Sequence, residues 1–127
     1  MDNKNIGDMA WLDLTVDNAE QVKSFYQDVV GWSVENCSMG EYDDYVMNNA
    51  KGEPQAGVCH AKGVNSDLPA AWIPYFLVAD IDVAVAQVIA KGGSMVTDVK
   101  SMGGDDRYAV IKDPAGAVCA LYYKKEL

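Results

Sequence analysis

The chain carries a single histidine, His60, three cysteines, and only ten lysines and arginines against nineteen aspartates and glutamates, a formal net charge of −9. So little positive charge excludes the basic patch that a phosphate backbone requires, which makes nucleic acid a poor partner and a neutral or cationic small molecule a better one. Three thiols is an odd count, and Cys37, Cys59 and Cys119 lack the spacing of a zinc site. They point to free thiols in a reducing compartment rather than to a disulfide framework. Apolar runs stay well short of the ~18 residues that a membrane span needs, and residues 1–11 show no charged-then-apolar leader. A cytoplasmic protein with no membrane partner is the expectation.

What is present is a repeat. Ala71 to Gly93, AWIPYFLVADIDVAVAQVIAKGG, reads as strand, Asp cap, helix and glycine stop, and Ala10 to Gly31, AWLDLTVDNAEQVKSFYQDVVG, follows the same plan. Asn18 and Asp80 stand 62 residues apart, as do Gly31 and Gly93, and PQAGVCHA from Pro54 lines up with PAGAVCAL from Pro114 at a separation of 60. With 127 residues, half of them hydrophobic, the chain is long enough for one ordinary core. The expected organisation is a single domain over 1–127, with module one at about 9–61, a linker at 62–70 and module two at about 71–124.

Strand alternation puts Leu12, Leu14 and Val16 on one face of the first strand and Trp11, Asp13 and Thr15 on the other. The helix that follows has Asp17 or Asn18 as its cap, Glu20 or Gln21 to complete a capping box, a buried stripe of Val22, Phe25, Tyr26 and Val29, and Gly31 as its stop. Strands are expected at 32–39, 45–49 and 56–61, with residues 40–44 as a solvated acidic turn. In the second module Trp72, Phe76 and Val78 should face the core and Tyr75 the opposite side. Its helix starts at Asp80 with a stripe of Ile81, Ala84, Val85, Val88 and Ile89, and strands follow at 94–100, 107–112 and 117–124, the last two joined by a turn at Asp113, Pro114, Ala115 and Gly116.

Two copies of strand, helix and three strands, with F-Y near the end of the first helix, G-W after it and D-P-A-G before the last strand, resemble the vicinal oxygen chelate superfamily, the group of glyoxalase I, bleomycin resistance proteins and extradiol dioxygenases. The resemblance runs from about Met9 to Tyr123. It implies an α+β fold of two βαβββ modules, each curling its sheet around an open-barrel cleft. In metal-dependent members each module places a ligand on its first and last strand, and those positions correspond here to Trp11, His60, Ile73 and Ala120. Only His60 is a metal donor, and Asp13 is the one other candidate on these strands. One imidazole and one carboxylate are fewer than the three protein ligands that a catalytic zinc keeps, so no cofactor is expected, with a divalent metal as the alternative.

His60 either is held in the sheet by hydrogen bonds or stands on the cleft wall, where Asp13 would favour its protonated form and the pair could act as general base or polar anchor. Asp13 alone could equally bond backbone at the sheet edge. Trp11, Tyr75 and Tyr122 share the cleft face by alternation and would wall a planar ligand. Arg107, after the flexible Gly103 and Gly104, either reaches a ligand anion or pairs with Asp105 and Asp106. Cys59 and Cys119 occupy matching places in the repeat and read as core, although Cys59 sits beside His60.

Two functional classes emerge. The first is a homodimeric small-molecule binding protein whose aromatic and acidic cleft lacks the usual metal quartet. The second is an enzyme, either a glyoxalase-like lyase or isomerase or a metal-free acid–base catalyst using His60 and Asp13.

Overall fold

Both predicted helices form, and residues marked in the sequence set their ends. In the computed structural model, which describes residues 5–125, α1 spans Ala19–Val30 and is closed by Gly31, whose left-handed backbone (φ 86°) lets its N–H donate to the Gln27 carbonyl. α2 spans Ile81–Ala90 and begins at Asp80, whose Oδ1 accepts the Val83 N–H at 3.1 Å. Such a cap contributes about 1 kcal/mol. The capping box expected on α1 is absent, because the Asn18 amide donates to Gln21 Oε1 at 3.2 Å and makes no cap bond.

The buried stripes are narrower than the hydrophobic pattern suggests. Ala19 is buried in α1, and Val22 and Tyr26 pack on the same cluster, whereas Phe25 and Val29 are 55% and 63% exposed. Phe25 lies about a quarter-turn from the line through Ala19, Val22 and Tyr26, and Val29 sits in the final turn. In α2, Ile81, Ala84, Val85 and Val88 meet the core while Ile89, again about a quarter-turn off that line, is exposed.

The chain divides into two compact units. The first, Leu12–Trp72, holds the later residues of β1 (Met9–Val16), then α1, β2 (Ser33–Ser38), β3 (Asp43–Asn48) and β4 (Pro54–His60). Its strands run in the order β2-β3-β4-β1, with β4 parallel to β1 and the other pairs antiparallel. Tyr45, Met47 and Val58 are buried with Ala19, and Val16, Val34 and three aromatic residues pack around them. Those three, Tyr26, Trp32 and Trp72, have ring centroids 5.2–6.1 Å apart, and the Trp72 indole donates to the Tyr26 hydroxyl at 3.2 Å. Because β3 already begins at Asp43, Asp43 and Asp44 are strand residues and the acidic turn shrinks to residues 39–42.

The second unit joins the chain up to Trp11 with the chain from Ile73 onward. The start of β1 neighbours β5 (Trp72–Leu77), and beyond β5 lie β9 (Val118–Tyr123), β8 (Arg107–Lys112) and β6 (Ser94–Met95), while β7 (Lys100–Ser101) also pairs β8. β5 is parallel to β9, and β8 is antiparallel to its partners. Ile81, Ile111 and Leu121 form the core under α2. Phe76, expected inside, is 37% exposed. The strand expected at 94–100 is split because Val96 and Thr97 both donate to the Val110 carbonyl while Thr97 Oγ1 accepts the Val110 N–H at 3.0 Å. Two residues thus oppose one, as in a β-bulge.

The same turn occurs once in each unit, and it corrects the repeat register. Asn49 Oδ1 accepts the Lys51 and Glu53 N–H groups, and Asp113 Oδ1 accepts those of Ala115 and Ala117. Gly52 (φ 78°) and Gly116 (φ 86°) stand at the same left-handed step. A register shift at Met47/Asn48 then sets Met47 opposite Ala56, whereas Ile111 opposes Cys119. Cys119 therefore matches Ala56, not Cys59, and the counterpart of His60 is Tyr123. The expected separation of 60 is off by an odd number, which exchanges the two faces of the strand.

Candidate functional site

In the first unit the carboxylate beside His60 is Asp44, not Asp13. The His60 N–H donates to Asp44 Oδ1 at 2.8 Å, and ring Nδ1 lies 3.4 Å from the same oxygen. Both side chains are 15% exposed. The imidazole is flanked edge-on by Tyr42, 5.2 Å between centroids, and more distantly by Tyr45. These contacts hold His60 against β3.

Asp13 is half-buried on β1, opposite Gly57, with Thr15 opposite Cys59, and is itself engaged. Its charge reaches Cys59. Burial first, then the charges of Asp13 and Asp44, a hydrogen bond to Asp44 and the nearby Cys37 push the Cys59 thiol far above its ordinary value. Cys59 is accordingly held as a thiol rather than a nucleophilic thiolate. Cys119 packs beneath α2, where burial and then Asp113 raise its pKa, and Cys37 is exposed on β2.

The second unit brings tyrosines together. Tyr75 pairs with Ala120, and Tyr108 lies directly opposite Tyr122, so all of these residues share the face turned away from α2. The small Ala120 leaves room for the Tyr75 and Tyr108 rings to approach to 6.1 Å. Tyr75, only 7% exposed, is the floor of this face. Tyr108 and Tyr122 are half-buried and accessible from above, and Trp11 is half-buried on β1. Tyr108 was legible from alternation within β8 but escapes a reading that follows only its charged neighbour.

Tyr122 has a polar partner absent from the sequence expectations. Its hydroxyl donates to Asp106 Oδ2 at 3.4 Å, the Lys125 N–H donates to Asp106 Oδ1 at 3.1 Å, and Lys124 Nζ stands 3.9 Å from Oδ2. Burial, then the Asp106 charge and this hydrogen bond, raises the Tyr122 pKa.

Arg107 does not join that face. It pairs with Tyr123 in register, on the side of α2, and lines a cavity of about 410 Å³ with Asp80, Asp82, Asp105, Tyr123 and Lys125. Asp105 is taken by Lys125 at 2.8 Å and Asp106 by Lys124, so the expected pairing with Arg107 is not made. Among the described residues no carboxylate lies within ion-pair distance of Arg107, and no three His, Cys, Asp or Glu side chains gather as a metal's ligand set. Nor is any helix among them long and apolar enough to cross a membrane.

Known proteins resemble this chain over most of its length. The glyoxylase-like protein CFP32 of Mycobacterium tuberculosis is 30% identical over 114 residues, covering 88% of this chain and 44% of its own. The anthracycline biosynthesis protein DnrV of Streptomyces peucetius is 28% identical over 130 residues, covering 93% of this chain and 47% of its own. The chain thus spans about half the length of these curated relatives. Among solved structures, the methylmalonyl-CoA epimerase of Streptomyces coelicolor superposes with a TM-score of 0.57 at 15% identity, covering 95% of this chain and 99% of the epimerase, a likeness of fold. Residues 8–121 match the sequence pattern of one family, and on that match the chain belongs to the Glyoxalase/Bleomycin resistance protein/Dioxygenase superfamily.

Proposed function

We propose that this chain is a small-molecule binding member of its superfamily, taking a planar ligand on the tyrosine face of the second unit and using no resident metal. The carrying observation is the placement of Tyr75, Tyr108 and Tyr122 on one face, two of them accessible. Aromatic walls hold planar ligands by stacking and area burial. A relative assigned to anthracycline biosynthesis supports that class, since anthracyclines are planar polycyclic molecules. Supporting the metal-free reading, the four positions that carry ligands in metal-dependent members hold Trp11, Ile73, Ala120 or its register-corrected replacement Tyr123, and His60, whose ring is turned to Asp44.

The second reading, a lyase, isomerase or acid–base enzyme using His60 and Asp13, loses its expected pair, because the carboxylate beside the imidazole is Asp44 rather than Asp13. A cytoplasmic homodimer completes the proposal. The relatives' chains have length for a second such domain, and a second copy of this chain would supply one.

The test is a fluorescence titration with planar aromatic compounds. Saturable binding that weakens about tenfold or more in Tyr108→Leu, with the variant still folded, is expected. Elemental analysis should find no stoichiometric zinc, nickel, iron or manganese. Binding untouched by Tyr108→Leu, or one tightly held metal per chain that is lost in His60→Ala, would overturn the proposal.

A further inference from the structure

The position of Asp106 fixes which way the Tyr122 hydroxyl points. Asp106 precedes Tyr108 by two residues, so both belong to the same face of the β8 line. Its backbone closes the loop, accepting from the Met102 N–H at 2.9 Å and donating to the Gly103 carbonyl at 3.2 Å. Its side chain is held as well: Oδ1 accepts the Lys125 N–H at 3.1 Å, and the Lys124 ammonium stands 3.9 Å from Oδ2. A carboxylate held in this way can only accept from the phenol, never donate to it.

The Tyr122 proton is therefore committed to Asp106. What the hydroxyl has left for a ligand is oxygen lone pairs. The polar edge of the tyrosine face, made of that oxygen and the Asp106 carboxylate, offers acceptors to whatever stacks beside it, and the net charge of −9 favours cations over anions in the same direction.

We infer that Asp106 is the specificity-determining residue of this face: by holding the Tyr122 hydroxyl as an acceptor, it selects planar ligands that carry a hydrogen-bond donor, a hydroxyl or an ammonium group, over planar carboxylates. This rests on the tyrosine face being the ligand surface. Asp106 acts through Tyr122 and is a positioning residue. Two cations oppose it: the Lys124 ammonium, 3.9 Å from Asp106 Oδ2, and Lys100, which lies opposite Tyr108 in register and already has a partner of its own.

Four matched probes test it: a naphthol, a naphthylmethylammonium, a naphthoate and methylnaphthalene, titrated into the intact protein. The naphthol and the ammonium should bind about tenfold or more tightly than the naphthoate, the range expected for one hydrogen bond to a charged or charge-oriented group. In Asp106→Asn the amide can donate to Tyr122, which frees the phenol proton, so the preference should fall to about threefold or less or reverse, while methylnaphthalene binds as before. Tyr122→Phe removes the oriented acceptor but leaves the Asp106 carboxylate, so the naphthol's preference should fall to about threefold or less, with no new affinity for the naphthoate. If Asp106→Asn fails to fold, as read by circular dichroism, Tyr122→Phe alone decides.

Equal binding of naphthol and naphthoate to the native chain, or a donor preference unchanged by whichever of these variants folds, overturns the inference. So does a naphthoate preference that disappears in Lys100→Met, which would make Lys100 the selector. Failure of all four probes, methylnaphthalene included, would instead overturn the ligand surface itself. The two failures are therefore distinguishable.

Discussion

Asp44 Oδ1 accepts both the His60 main-chain N–H, at 2.8 Å, and the approach of ring Nδ1, at 3.4 Å. One oxygen thus fixes the end of β4 and the orientation of the chain's single imidazole. Ring and backbone of His60 are thereby both tied to the neighbouring strand β3.

Asp44→Ala leaves the His60 N–H without its partner at a half-buried position, a loss of about 1–2 kcal/mol. Thermal unfolding should shift down by roughly 3–8 °C for a domain of this size. Asp44→Asn keeps an acceptor and should lose less than half as much. Equal midpoints for Asp44→Ala and the native chain would contradict the assignment.

Cys59 should resist alkylation in the native protein while the exposed Cys37 is modified quickly. The sign for stability follows from a folded pKa that lies above the unfolded one. The stabilising contribution is complete below the unfolded thiol value, near pH 9, and is lost progressively as pH rises above it, because the unfolded chain releases that proton first. Mass spectrometry after timed iodoacetamide labelling measures the difference. Cys59 should become labelled on unfolding, and faster in the folded Asp44→Asn variant than in the native chain. Equal native labelling of Cys37 and Cys59 would refute the prediction.

Thr97→Val keeps the shape of the side chain but removes the oxygen that accepts the Val110 N–H. Val110 is 0% exposed, so water cannot replace that bond, and a cost of about 1–3 kcal/mol is expected. Urea unfolding should show a lower midpoint at unchanged slope. Thr97→Ser, which retains the oxygen, should recover most of the loss.

Light scattering at micromolar concentration should give twice the chain mass, with a two-fold interface that is self-complementary. Exposed Phe25 and Val29 on α1 are positions to probe. A monomer mass would remove the homodimer from the proposed function.

The sequence made the helices legible because their signals are local: Gly31 and Asp80 act within one turn of the positions they mark. Alternation likewise grouped Tyr75 with Tyr122, and the resemblance carried by the repeat anticipated the family. Register was not legible. It depends on the shift at Met47/Asn48 and on cross-strand bonds, so the cysteine match and the metal-position match at Ala120 both slipped. His60 was given the wrong carboxylate for a related reason. Asp44 reads as part of a solvated turn in the chain, and only pairing with β2 makes it a strand residue. Asp106 was hidden by its acidic neighbour, since two adjacent aspartates look alike until each finds its own lysine.

The turn held by Asp113 and Gly116 feeds directly into β9, where Tyr122 faces the tyrosine surface and Tyr123 packs beneath α2. Adding or deleting one residue between the turn and Tyr122 would exchange these neighbours, sending the accessible phenol into the helix core and its successor outward. For this loop, then, length is constrained as strictly as chemistry. Variation in related chains should favour exchanges of residue over gaps here, whereas the twin turn at Asn49 leads into a strand whose register shift at Met47/Asn48 has already taken up one residue.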